Sequence, residues 1–204
     1  MKLPPRDANA YFAKPDPTKT GLLIYGGDAM RVALKRQSFL KNLLGPNAEE
    51  EMRLTRMLAG DLRADPAALS DAIKAQGFFP GPRAVFVEDA TDVHGDKITQ
   101  ALDDWQPGDA HVVVTGGNLK PTGKLRKYFE KHPSAFAIGI YDDPMSRDEI
   151  QDELRKAGLN QIDPEAMRDL EALARSLDPG DFRQTVEKLS LYKLGDPSLL
   201  TPDD

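Results

Sequence analysis

Five short apolar runs, at residues 21–25, 52–58, 84–87, 111–115 and 135–140, alternate with helical patterns at about 28–44, 66–76, 92–105 and 122–132. No other feature limits the chain as much. Strands joined through helices cannot pair as tight hairpins, so the connections favour a mostly parallel sheet covered on both faces. Several runs are nearly continuous in apolar residues, as strands buried on two faces are. The pattern predicts an α/β domain with a parallel five-stranded sheet flanked by helices, over residues 1–141.

At Asp142-Asp143-Pro144 the texture changes, and from Ser146 onward only helical stretches follow. Ser146 and Glu149 have capping-box spacing, and Gly158 is placed to close that helix. Asp163-Pro164 opens a second helix. Asp178-Pro179 opens a third that runs to about Tyr192, with Gly195 after it. Residues 142–204 therefore read as a small three-helix domain. The last residues, Thr201-Pro202-Asp203-Asp204, have the composition of a helix start with no helix after it. The expectation is that the natural chain continues past a domain boundary at this point.

Composition narrows the chemistry. With 204 residues, 40% of them hydrophobic, the chain is long enough for a medium domain and a small one. Its net charge of −6 provides no global field that would draw it to nucleic acid. The absence of cysteine excludes disulfides, thiolate metal sites and cysteine nucleophiles. No stretch approaches the length of a membrane span, and the start has no apolar signal core, so a cytoplasmic protein is expected.

One segment stands apart from the regular pattern. Asp65 and Pro66 suit a helix start, and Gly77 is placed to end that helix in a left-handed cap. Phe78, Phe79, Pro80, Gly81 and Pro82 come next, before the strand at 84–87. The prolines bar the two rings from a central strand. The rings then suit either the corner of a core or an apolar plug offered to a partner. Residue chemistry alone favours the core, since most phenylalanines pack inside. A division, with one ring buried and its neighbour available, also fits two consecutive residues.

No stretch carries an intact catalytic signature. Gly26-Gly27-Asp28 sits where a nucleotide-binding α/β protein keeps its phosphate loop, but it is too short to wrap a phosphate, and Asp28 would repel one. Asp28 reads better as a helix cap. The stretch 117–124 imitates the same motif with one residue too many and Leu125 in place of the metal-binding hydroxyl. Asp28, Glu88, Asp89, Asp142 and Asp143 all follow strand ends and would together suit a Mg²⁺ ion, although capping is the commoner use of such residues. His94, His111 and His132 lack metal-ligand spacing. Lys120, Lys124, Arg126, Lys127 and Lys131 form a basic stretch, either a solvated face or a phosphate contact.

Four segments together resemble the delta subunits of bacterial DNA polymerase III clamp loaders. They are residues 21–28 with the following helix, 75–87, 124–129 and 178–192, and the resemblance covers essentially the whole chain. It implies an AAA+-like domain without a working phosphate loop, a helical lid domain, and a helical collar domain beyond residue 204. In that family a small-residue–leucine–phenylalanine element at a helix end enters a hydrophobic pocket of the ring-shaped sliding clamp and helps open the ring. Gly77, Phe78 and Phe79 match it by position, with Phe79 as the aromatic anchor and Phe78 where leucine is usual. On this resemblance the plug becomes the favoured role.

The implied function is DNA replication without an active site of the chain's own and without a cofactor. The implied partners are the beta sliding clamp, the ATPase and delta-prime type loader subunits, and primed DNA within the assembled loader. Two readings of other kinds remain: a Mg²⁺-dependent phosphotransfer or nucleotide enzyme built on the strand-end acids, and a helical adaptor.

Overall fold

The computed structural model describes residues 1–141, 145–177, 179–196 and 198–204. It divides into two compact units, Met1–Tyr141 and Asp142–Asp204. The first unit holds β1 (Gly21–Gly26), β2 (Leu54–Leu58), β3 (Ala84–Glu88), β4 (His111–Gly116) and β5 (Ala135–Ile140). They form one parallel sheet in the order β2-β3-β4-β1-β5. Its helices are α1 (Pro5–Ala13), α2 (Ala29–Leu44), α3 (Ala68–Lys74), α4 (Gly95–Asp103) and α5 (Lys124–Lys131).

The alternation along each strand sorts the core into two layers. Leu23, Tyr25, Val85, Val87, Val112 and Val114 join the cluster that includes Leu69 of α3, Ile98 of α4 and Phe129 of α5. Leu22, Ile24, Phe86, Val113 and Ile138 point the other way, into the cluster with Phe12 of α1 and Phe39 of α2. Period-two alternation inside a continuously apolar run is what a two-sided sheet requires. The outer edge of β5 does not stay open: Leu3 donates to the Ala137 carbonyl (3.2 Å), and Ala137 to that of Met1 (2.9 Å).

Local departures from the sequence reading have identifiable causes. The helix expected over 66–76 is shorter. Asp65 accepts from the backbone N–H groups of Ala67 (3.1 Å) and Ala68 (3.2 Å), so residues 66–67 form a turn and α3 starts at Ala68. Gly77 is not a left-handed cap, because α3 ends at Lys74 and Ala75 is already extended (φ −54, ψ 129). β2 starts at Leu54, because Met52 is in a left-handed turn (φ 49). A 3-10 turn, Asp92–His94, precedes α4. α1 and a 3-10 segment, Ala59–Arg63, have no counterpart in the sequence reading.

In the second unit, α6 (Arg147–Lys156), α7 (Pro164–Ser176) and α8 (Pro179–Tyr192) pack around Ile150, Leu154, Leu170, Phe182 and Val186. The capping box forms: Glu149 N–H donates to Ser146 Oγ at 3.3 Å, and Ser146 N–H to Glu149 Oε2 at 3.0 Å. α6 ends in a Schellman motif at Gly158 (φ 85), with Leu159 donating to the Leu154 carbonyl at 2.9 Å. Asp163 caps α7 by accepting from Glu165 N–H at 2.7 Å. The cap assigned to Asp178 lies outside the described residues. Ile162 and Leu200 form a single parallel bridge.

One buried titratable group has a measurable consequence. His111 begins β4 with its ring 5.5 Å from that of Phe39. Burial pushes its pKa down to about 4, against weaker opposition from the Lys19 backbone and the Asp16 carboxylate. The native state holds this ring neutral while the unfolded chain protonates it near pH 6.5, so its contribution is present above that pH and is lost as pH falls toward 4. The expected loss is about 3 kcal/mol across that window. Chemical denaturation of the wild type and of His111→Phe at pH 7 and pH 4.5 checks it: the wild type should lose the larger share of its stability.

Candidate protein-docking site

A parallel sheet has two unlike ends. The strand N-termini of the first unit carry the Phe78-Phe79 loop, which enters β3. The strand C-termini carry the crevice between β1 and β4, from which α2 and α5 leave toward opposite faces. In open α/β sheets that crevice is where ligands bind.

In this chain the ladder between β1 and β4 runs on to the end of both strands. Gly26 N–H donates to the Gly117 carbonyl at 3.2 Å, across the gap between the ends of β1 and β4. A Cβ on Gly26 would stand 2.1 Å from the Ile140 carbonyl oxygen, so only glycine permits this approach. Asp28 caps α2, its Oδ1 accepting from Arg31 N–H at 2.9 Å. A carboxylate therefore occupies the helix N-terminus that would otherwise receive a phosphate.

Among the described residues the remaining candidates for phosphate or metal chemistry do not assemble. Lys124, at the end of the stretch 117–124, opens α5 and pairs with Asp96 at 3.5 Å. Asp92 caps α5 by accepting from Leu125 N–H at 3.1 Å. Asp89 follows β3 in a left-handed conformation (φ 56). Asp142 and Asp143 lie outside the described residues. Among the described residues no group of three His, Asp or Glu side chains is arranged to hold a metal ion. His94, His111 and His132 sit in the 3-10 turn before α4, in β4 and after α5.

The opposite end is exposed and apolar. Phe78 is 90% exposed and Phe79 38%. Their rings meet edge to face, with centroids 5.5 Å apart and planes at 72°, a favoured aromatic geometry. The expected division into one buried and one available ring does not occur: both rings are exposed and neither belongs to the core.

Two guanidinium groups frame the loop. Arg53, just before β2 and itself buried, donates from Nη1 to the Pro82 carbonyl (2.9 Å) and from Nε to Glu51 (2.7 Å). Arg83 donates to the Ala75 carbonyl and, from Nη2, to that of Gly108 (2.8 Å). Its side chain runs so close over Gly77 that a Cβ there would lie 2.7 Å from Arg83 Cδ. Gly81 holds the bend with φ 120, against the Arg53 guanidinium. Charged donors make the stronger hydrogen bonds; the Arg53 bond is half-buried and both Arg83 bonds are exposed.

The neighbouring loop between α4 and β4 is tied down as well. Lys74 Nζ reaches the Asp104 carbonyl (2.7 Å) and Asp109 (2.5 Å), and Trp105 Nε1 donates to the Ala110 carbonyl at 3.0 Å. Burial works against the charge on Asp109, but Lys74 and the Gln106 N–H hold its carboxyl below the usual range. The sequence reading assigned no role to Arg53 or Arg83. The only hint was an arginine immediately before each of β2 and β3.

The parallel 2-3-4-1-5 sheet with helices on both faces, followed in the chain by a separate helical unit, is an AAA+-like architecture. No protein-family model matches the chain, and no curated protein matches it in sequence. Among solved structures it is similar to the Bacillus subtilis DNA clamp loader delta protein (YqeN), with TM-score 0.62 and 18% identity over 97% of this chain and 60% of that one. The chain thus spans about 60% of that protein's length. NtrX from Brucella abortus gives TM-score 0.48 at 15% identity, over 97% of this chain and 51% of that one. Domain III of the Thermotoga maritima replication initiation protein DnaA gives 0.47 at 10%, over 97% and 88%. The fold is clamp-loader-like. Among the described residues no helix is long and apolar enough to cross a membrane.

The guanidinium frame makes a prediction of its own. In Arg83→Ala, proteolytic cleavage within the exposed loop at residues 77–82 should quicken by about tenfold or more, because the loop loses two charge-assisted bonds. Hydrogen exchange in β1 and β4 should stay as in the wild type. An unchanged loop would show that the arginine does not hold it.

Proposed function

We propose that this chain is a delta-type clamp-loader subunit that docks on the beta sliding clamp through Gly77, Phe78 and Phe79 and carries no active site of its own. The observation that carries the reading is the exposure of Phe78 and Phe79 on a loop fixed by Arg53 and Arg83. An exposed aromatic pair is costly in water and gains most when a partner provides a pocket. A loop already held in one shape loses little entropy on docking. The clamp-loader-like fold and the carboxylate that caps α2 at the other end of the sheet support the same reading.

The action follows from differential binding. Burying two phenylalanine side chains contributes roughly 1.5–3 kcal/mol each. That energy favours an open ring only if the open ring accepts the plug better than the closed one. ATP binding and hydrolysis then belong to the ATPase subunits of the loader, with delta-prime type subunits and primed DNA as further partners. In replication the assembly serves DNA polymerase III, in the cytoplasm.

Two measurements test this reading. The double variant Phe78→Ala, Phe79→Ala should lose about two orders of magnitude in affinity for the cognate sliding clamp, as paired aromatic hot spots do. Its melting temperature should stay close to that of the wild type. A well-folded double variant with intact clamp affinity would remove these rings from the site. Calorimetric titration with Mg-ATP should give no stoichiometric heat; a micromolar one-to-one isotherm would show a working nucleotide site at the crevice.

A further inference from the structure

Along α5, between it and the end of α4, lies an open groove of about 770 Å³. Trp105, Pro107, Lys124, Lys127, Tyr128 and Lys131 line it. The three lysines fall on one face of α5 at i, i+3 and i+7, spanning about 10 Å along the helix. They rim a concavity with an aromatic wall, which a merely solvated helix face does not have. Lys124 is engaged by Asp96. Among the described residues Lys127 and Lys131 form no ion pair, and both are exposed. The acid that lines the groove, Asp103, is engaged by the Tyr128 hydroxyl at 2.5 Å. In a chain of net charge −6 this is a local reversal of sign.

The groove and the plug loop are linked through the loop before β4. Pro107 lines the groove, and the next carbonyl along, that of Gly108, receives Arg83 of the plug loop. A partner large enough to cover Phe78 and Phe79 therefore also meets the lysine rim. We propose that this groove docks an acidic segment of the same partner, with Lys127 and Lys131 as its charge contacts. This inference rests on the docking reading above. Charges at the rim of an apolar hot spot act mainly by steering encounter, and their effect fades with salt.

The test uses the 204-residue chain, its cognate sliding clamp and a labelled oligothymidylate. In Lys127→Gln, Lys131→Gln, clamp affinity at low ionic strength should fall by about tenfold, mostly through a slower association rate, and the deficit should vanish at about 1 M salt. Lys127→Arg, Lys131→Arg should keep wild-type affinity, which separates charge from fold. Unchanged affinity and salt dependence in the glutamine variant, with binding lost in Phe78→Ala, Phe79→Ala, overturns the inference and leaves the docking reading intact. An equal loss in the arginine variant also overturns it. So does loss of oligothymidylate binding in the glutamine variant at unchanged clamp affinity, which assigns the groove to nucleic acid. Undiminished clamp binding by the phenylalanine variant overturns the docking reading itself.

Discussion

Everything in the first unit depends on β1 being paired in parallel with β4 on one side and β5 on the other. Leu22, Leu23 and Ile24 are fully buried, so β1 is committed to both layers of core at once. β2 and β3 extend the sheet in the same direction, so every connection crosses back over a face. The result is a sheet with two chemically distinct ends. The helix starts and strand-end acids gather at one; the loops that enter the strands gather at the other.

Each end is fixed by polar groups, with opposite results. At the strand C-termini Gly26 N–H bonds the Gly117 carbonyl and the Asp28 carboxylate caps α2 through Arg31 N–H. At the strand N-termini Arg53 and Arg83 satisfy loop carbonyls, and two phenylalanines are left pointing outward. A loop held by charged donors keeps apolar side chains exposed that a slack loop would fold away. Rigid polar support of an apolar surface is what docking requires.

The sheet was legible because its signal is local: each strand is a run of apolar residues bounded by turn residues, and β5 over residues 135–140 is an instance. Caps set by residues three apart, such as Ser146 with Glu149, were legible for the same reason. The end of α3 was not. Gly77 is a plausible left-handed cap on sequence alone, but Arg83 takes the Ala75 carbonyl instead and removes the need for one. The supports of the plug loop were out of reach for a related reason. Arg53 and Pro82 are 29 residues apart, and Arg83 and Gly108 are 25 apart, so only the folded sheet brings them together. By residue chemistry alone the two rings fit a core corner; their exposure follows from those distant bonds.

The most direct test of the account is a hydrogen-exchange footprint of the chain with and without its cognate sliding clamp. The account predicts slowed exchange at the amides of Gly77, Phe78, Phe79 and Gly81, with the turn at Gly26, Gly27 and Asp28 unchanged. Protection centred on that turn, with the phenylalanine loop exchanging as in the free chain, would contradict it.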